Sequence, residues 1–338
     1  MSTYRAFEVT GTRDFELVTR QVAAPPAGHV RLRVESCGVC HSDALAVEGI
    51  RADPTQPVVP GHEVVGVIDA VGEGVTAWRV GDRVGVGFLG GHCGECTPCR
   101  RGDFVNCTDQ HRTGTTTDGG YAEVMIARSS GLARVPEGLS PTLAAPLLCA
   151  GLTTFSALSR LQLRPGALVA IQGIGGLGHL GVQYATRLGY RVAAIARGWE
   201  KEKLALELGA SHYIDSSAQD PGAALRELGG ADAIVATAAN GASMAPLVPG
   251  LAARGHMVVV GVPMDPISVA APDLVLGSRT VSGSLTGSSI DNEDNLEFSL
   301  RSGVRPIVET MPLSRAPEAY ERMMAGKARF RIVLDTAA

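Results

Sequence analysis

The chain has 338 residues and a net charge of −4, long for one core and comfortable for two domains. Acids and bases are interspersed, so no basic run points to nucleic acid or an anionic membrane, and no stretch of about 18 apolar residues is present to span a bilayer. The opening segment MSTYRAFEVTGTRDFEL lacks the apolar core of a secretory signal. A reducing cytoplasm is therefore expected, where clustered cysteines bind metal more often than they pair.

The first half reads as strands and turns. Val30, Leu32 and Val34 alternate with Arg31, Arg33 and Glu35, the period of a half-buried strand. That run leads to Cys40, and His62 is expected to open the next strand. Glycines punctuate Val64 to Val86, as in the tight hairpins of a small barrel. Near Cys149 the composition turns to alanine and leucine, and helices alternate with short strands. Strands are expected at Leu168–Gln172, Tyr190–Ala196, His212–Asp215, Ala233–Ala236, Met257–Val262 and Thr280–Ser284. Leu177, Leu180, Gly181, Tyr184 and Leu188 share one helix face, and Gly189 is placed to end that helix. Repeated strand–helix units argue for an α/β, doubly wound parallel sheet covered on both faces. After Leu285 a strand at Arg305–Glu309, a helix at Ala316–Ala325 and a strand at Phe330–Leu334 form a tail too short for a domain. The expected organisation is residues 1–150 as a first domain with a cysteine lobe, 151–285 as an inserted sheet domain, and 286–338 returning to the first. No internal repeat or low-complexity segment is evident.

All seven cysteines precede residue 150. Cys93, Cys96, Cys99 and Cys107 are spaced C-x2-C-x2-C-x7-C. Four thiolates this close can close a tetrahedral shell around one Zn²⁺ and staple a lobe that has no apolar core of its own. An iron–sulfur cluster is the rival reading of such spacing. Cys40, His62 and Cys149 would make a second site from distant residues. Two thiolates and one imidazole leave a fourth position open, the arrangement of a catalytic zinc. Asp43 and Glu63 lie beside these ligands, and a carboxylate accepting the other ring N–H of His62 would fix its tautomer. Cys37 has no assigned partner and reads as a structural thiol.

Gly173, Gly175 and Gly178 form G-x-G-x-x-G directly after a strand and at the start of a helix, with Gly176 and Leu177 inside the turn. The first glycine makes the turn, the second admits a pyrophosphate, and the third packs helix on strand. The phosphates then meet free N–H groups at the helix N-terminus. At the end of the second strand an NAD site carries Asp or Glu for the ribose 2′-OH. Here Ala196 holds that place and Arg197 follows, with Lys201 and Lys203 nearby. Loss of the anion and a guanidinium in reach favour NADP(H). The other reading is a solvated or adenine-stacking Arg197 with NAD as cofactor.

Together these motifs resemble the zinc-dependent medium-chain alcohol dehydrogenases, over essentially the whole chain. The resemblance runs through Cys37-Gly-Val-Cys40-His41-Ser42-Asp43, Gly61-His62-Glu63, the four-cysteine lobe, Cys149-Ala-Gly-Leu-Thr153, the Gly173–Gly178 turn and Gly326-Lys-Ala-Arg-Phe-Arg331. It implies a GroES-like β-barrel catalytic domain plus a Rossmann domain, with the active site in the cleft between them. It also implies two zincs per chain: Cys40, His62 and Cys149 as catalytic ligands, and the lobe cysteines as structural ones. Ser42 would take the substrate proton, His41 and Arg331 would contact the cofactor pyrophosphate, and Thr153 would lie near the nicotinamide. Phe88 would wall the substrate pocket. Where many members have a histidine at the outer end of the proton relay, this chain has Leu45, so protons would leave Ser42 for water directly or through His41. The implied activity is hydride transfer between a small alcohol, aldehyde or ketone and NAD(P), in a homodimer or homotetramer. A polyol or sugar dehydrogenase of the same superfamily is the nearest alternative. A non-catalytic, redox-sensing nucleotide-binding protein is the alternative from another class.

Overall fold

The computed structural model describes every residue except Met1, Ala52, Pro54, Ala337 and Ala338. The chain divides into two compact units, Met1–Leu152 with Gly287–Ala338, and Thr153–Thr286.

The first unit holds β1 (Thr3–Val9), β2 (Phe15–Gln21), β3 (His29–Val39), β4 (Val64–Val71), β5 (Arg83–Val86), β6 (Val124–Arg128) and β7 (Leu132–Arg134). The second holds β8 (Leu168–Gln172), β9 (Arg191–Ala196), β10 (His212–Asp215), β11 (Ala231–Ala236), β12 (Leu251–Val259) and β13 (Thr280–Gly283). The chain then returns to the first unit with β14 (Val308–Pro312) and β15 (Arg331–Asp335).

In the first unit β1 and β2 form an antiparallel hairpin, and the larger sheet runs β14-β15-β3-β4-β5-β7, with β6 also on β3. β3 is the spine. Its N-terminal half alternates buried Val30, Leu32 and Val34 with more exposed partners, and its last residues, Cys37 to Val39, are buried throughout. One face of the strand is thus wet where it begins, and both faces are covered where it delivers Cys40. The returning β15 pairs with that covered half, Leu334 opposite Cys37 and Ile332 opposite Val39. The core under this sheet is aliphatic, with Leu32, Ile68, Val84, Leu132 and Ile332 at 0–3% exposure.

The second unit is a parallel sheet in the order β10-β9-β8-β11-β12-β13. Numbered from β8, this is 3-2-1-4-5-6, the doubly wound order, and the strand order reverses between β8 and β11. β8 (LVAIQ) is buried at every position, as a central parallel strand with helices on both faces must be.

Two expected strands lie elsewhere. The one expected at Met257–Val262 is Leu251–Val259. Its first half, LAARG, carries no apolar alternation, because Ala252 to Arg254 fall where the register against β11 shifts. The one expected at Arg305–Glu309 is Val308–Pro312. Residues before it are spent on ending the helix Ser289–Ser302: Gly303 takes the left-handed conformation at φ 75°, and Arg305 Nη1 donates to the carbonyls of Ser299 and Val304. Among the described residues no single helix is long and apolar enough to cross a membrane.

Candidate metal centre and nucleotide site

β3 ends at Val39, and Cys40 caps a short 3-10 turn, His41–Asp43. The Asp43 side chain folds back to accept the Cys40 N–H at 2.9 Å, which sets the backbone as it leaves the strand. His62 comes two residues before β4 rather than opening it, after Gly61, whose φ of +97° turns the chain. Cys149 follows the 3-10 turn Ala145–Leu148, with φ −128° and ψ −72°. These segments bring Cys40, His62, Glu63 and Cys149 together, with ligand atoms all within 4.8 Å of one another. The Sγ atoms of Cys40 and Cys149 are 3.8 Å apart.

The electrostatics follow from burial. His62 is 1% exposed, and its Nδ1 lies 2.8 Å from Asp43 Oδ1, while its Nε2 is buried without a hydrogen-bond partner. Such a nitrogen is costly unless something binds there. The hydrogen bond from Cys149 holds the Cys40 thiol well below its ordinary value; burial opposes this, and His62 and Arg331 assist. Cys149, 3.8 Å from it, is pushed up by that same contact and by burial. Glu63, 0% exposed, is ion-paired with Arg331. Burial pushes the Glu63 carboxyl up and Arg331 draws it back. Arg331 itself is 5% exposed. Burial would lower its pKa, but Glu63 and the two thiols hold it charged. Arg331, expected at a pyrophosphate, is thus committed to Glu63 in this structure.

The neighbouring expected residues are less buried. Ser42 and Leu45 are half-buried and His41 is exposed. Phe88, also half-buried, sets its ring edge-to-face with His62, centroids 5.3 Å apart.

The lobe cysteines form the second cluster, Cys93, Cys96, Cys99 and Cys107, again within 4.8 Å of one another. Backbone N–H groups of Glu95 and Cys96 both point at Cys93 Sγ at 3.4 Å, and that of Cys93 at Cys107 Sγ at 3.4 Å. Backbone bonds from Cys99 and Thr108 pull the Cys96 thiol down to about 6. The backbone donors of the segment are thus turned on its sulfurs, while burial pushes the Cys99 thiol up to about 12. Cys37 stays apart from both clusters, buried, its thiol donating to the Gly38 carbonyl.

In the second unit a cavity of about 1010 Å³ opens where β8 and β11 end, lined by Gly173, Gly175, Gly176, Leu177, Ala196, Arg197 and Lys201 among others. Each glycine of the turn has a distinct reason. Gly173 has φ +86°. A Cβ on Gly175 would meet nothing within 4 Å, so the approach to its backbone is open. A Cβ on Gly178 would lie 1.7 Å from the Gly173 carbonyl oxygen, so helix and turn touch there. Thr153, expected near a nicotinamide, is buried, with its hydroxyl 3.4 Å from that of Thr286.

Three functional contacts were not anticipated from spacing. Asn295 Nδ2 donates to the Leu147 carbonyl at 2.9 Å and Asn292 Nδ2 reaches that of Leu148 at 3.5 Å, bracing the turn that carries Cys149. The Tyr121 hydroxyl donates to Asp43 Oδ2 at 2.9 Å. These are ordinary residue types with no diagnostic neighbours, and only the fold brings them to the site.

Residues 26–137 match the alcohol dehydrogenase GroES-like domain and residues 176–302 the zinc-binding dehydrogenase domain. The chain is 42% identical over 310 residues to the alcohol dehydrogenase patD of Penicillium expansum, covering 92% of this chain and 91% of that one. It is 36% identical to the NADP-dependent alcohol dehydrogenase C 1 of Mycolicibacterium smegmatis, covering 100% and 98%. A cinnamyl alcohol dehydrogenase from Sorghum bicolor superposes with a TM-score of 0.90 at 33% identity, covering 100% and 98%.

Proposed function

Since the chain belongs to the zinc-dependent medium-chain alcohol dehydrogenase family and is an oxidoreductase of alcohols and aldehydes, we propose that it moves hydride between a primary or secondary alcohol and NADP(H), with a catalytic zinc at Cys40, His62 and Cys149 and a structural one at the lobe cysteines. The observation that carries the reading is the bare Nε2 of His62, buried without a partner and grouped with the thiols of Cys40 and Cys149. When bound, zinc supplies a Lewis acid for the substrate oxygen and the nicotinamide supplies the hydride acceptor or donor.

The protein's own groups do the rest. Asp43 sets Oδ1 2.8 Å from His62 Nδ1, which favours the tautomer that leaves Nε2 free to ligate. Ser42 takes the hydroxyl proton as the alcohol is oxidised, and returns it in the reverse direction. Leu45 cannot carry that proton further, so it passes to water directly or by way of His41, which is exposed. Phe88 puts an aromatic edge beside His62, a surface suited to an apolar substituent rather than a polyol. Glu63 with Arg331 offsets charge around the thiolates.

Preference for NADP(H) rests on the cavity's charge. Its lining residues include Arg197 and Lys201 and, among the described residues, no Asp or Glu. Asp215, in register with Ala196, is already engaged: it accepts from the Gly198 N–H at 2.8 Å and from Ser217 N–H and hydroxyl at 2.8 and 2.6 Å. A 2′-phosphate there would meet guanidinium and ammonium groups without a facing carboxylate. A cytoplasmic location is the reading we favour, since seven cysteines outside any disulfide suit a reducing compartment. It is expected to assemble as a homodimer or homotetramer, since closed symmetric assemblies are the commonest.

The test is replacement of Cys40 or His62 with alanine, followed by nicotinamide absorbance with short aliphatic, benzylic and allylic alcohols and metal analysis. Turnover falls by at least about 100-fold, because even outer partners of zinc ligands are worth about 10–100-fold in affinity or activity, and one zinc per chain is lost while the other stays. Undiminished turnover would remove zinc at these residues from the mechanism.

A further inference from the structure

Asp43 takes three contacts at once. Oδ1 faces His62 Nδ1 at 2.8 Å, and Oδ2 accepts both the Cys40 N–H and the Tyr121 hydroxyl at 2.9 Å. A carboxylate held at one oxygen by two donors cannot swing, so the other oxygen stays aimed at the imidazole. One of the two donors is the hydroxyl of a core tyrosine 78 residues away in sequence.

We propose that Tyr121 is a positioning residue for the catalytic metal: its hydroxyl fixes Asp43, and through Asp43 the tautomer and direction of His62. The inference rests on the reading of Cys40, His62 and Cys149 as the open zinc site. Three observations support it. Tyr121 is 0% exposed, so its hydroxyl is closed to bulk solvent and needs a partner inside the protein, which Asp43 provides. Its ring is wedged: a Cβ on Gly61 would lie 2.5 Å from Tyr121 Cδ1 and 2.7 Å from Cys37 Sγ. This gives Cys37 a purpose, as a wall that seats the tyrosine. The backbone is tied to the loop that carries the ligand, with Gly119 N–H on the Val59 carbonyl at 2.7 Å, Gly120 N–H on that of Gly61 at 3.0 Å and Tyr121 N–H on that of Pro60 at 3.0 Å. Asp118 adds a bond from the Val59 N–H at 3.0 Å. The segment Asp118–Tyr121 therefore grips Val59–Gly61 along the main chain and reaches past it, through the phenol, to the carboxylate that orients the next residue.

The test uses the zinc-loaded enzyme as wild type, Tyr121→Phe, Asp43→Ala and the double variant. Zinc release into a chelating dye is followed, the four-cysteine lobe serving as the slow internal control and as a check of folding. Tyr121→Phe removes one oxygen and no packing. It should speed release from the open site about 10-fold, the low end for outer partners of zinc ligands, with lobe release and melting temperature unchanged. Asp43→Ala should have the larger effect, and the double variant should release no faster than Asp43→Ala alone, because the hydroxyl then has nothing to hold. Wild-type release from Tyr121→Phe overturns the inference, and so do two effects that multiply, which denote general loosening. Should Asp43→Ala not fold, Tyr121→Phe alone decides, by release rate against melting. If wild type gives up only one zinc per chain, and that from the lobe, the reading of the open site fails and the inference falls with it.

Discussion

Arg197 leaves the end of β9 exposed, next to a buried Ala196. The peptide that follows is gripped on both sides: the Gly198 N–H by Asp215 at 2.8 Å, its carbonyl by the Tyr213 hydroxyl at 2.6 Å. Gly198 itself sits at φ +74°, so the loop is set by its glycine and the arginine projects from a fixed base. Arg197→Ala should raise KM for NADP⁺ by about 10- to 100-fold, the value of one or two hydrogen bonds to a charged group, and leave KM for NAD⁺ nearly unchanged. The NADP⁺ preference should also weaken with salt in wild type and not in the variant, since the arginine is solvent-facing. Comparable loss with both cofactors would assign Arg197 to the adenine instead.

Among elements, the cysteine lobe depends most on something other than packing. Of its ordered pieces, Thr97–Arg100 and Phe104–Asn106 are single turns, too short to hold themselves. Cys96→Ser should remove one zinc per chain and keep the other. Loss of the staple should cost about 2 kcal/mol or more, read as a fall of about 4 °C or more in melting temperature. Alcohol turnover below that temperature should persist. Equal loss of both zincs would show that the clusters are not independent. The lobe and the glycine turn are the parts most legible in sequence, because their chemistry is written at short spacing: four cysteines within fifteen positions, and three glycines within six. The Tyr121 and Asn295 contacts were not legible, because they span 78 and 148 residues and involve side chains found anywhere. The strand expected at Arg305–Glu309 starts only at Val308, because Arg305 turns back on the preceding helix end and the Ile307 carbonyl accepts from Phe330 and Arg331. Fold class was readable because β8 to β13 repeat one strand–helix unit, and repetition outweighs error in any single boundary.

At the scale of the whole chain, distant segments of the first unit are drawn to Glu48. It accepts from Arg13 Nε at 3.0 Å and from the Tyr320 hydroxyl at 2.9 Å, joining the N-terminal hairpin turn, the segment after Val47 and the helix Ala316–Met324. The Arg13 hydrogen bond is the main reason its carboxyl lies below the ordinary 4.5, with burial opposing and Tyr320 assisting. A depressed folded pKa contributes stability above the unfolded value, and that stability is lost as pH falls through the folded value. Glu48→Gln should therefore unfold more easily than wild type at pH 7, by no more than about 1 kcal/mol because Glu48 is 20% exposed and screened. The gap in urea midpoints should close as pH drops below 4.5. A gap that persists in acid would mean packing, not charge, joins these segments.

The pairing of β15 with β3 also bears on how the protein is made. Glu63 emerges early from the ribosome, and its counter-ion Arg331 is 268 residues behind it. Before Arg331 is made, Glu63 cannot be buried as it is in the folded protein, since a buried charge without its partner costs several kcal/mol, and the first unit still lacks β14 and β15. The inserted unit, Thr153–Thr286, has every strand of its own sheet in one unbroken stretch and can complete itself first. Closure around Glu63 thus waits for β15, and a chain cut before Arg331 would keep the inserted sheet while losing the counter-ion beside the clustered thiols.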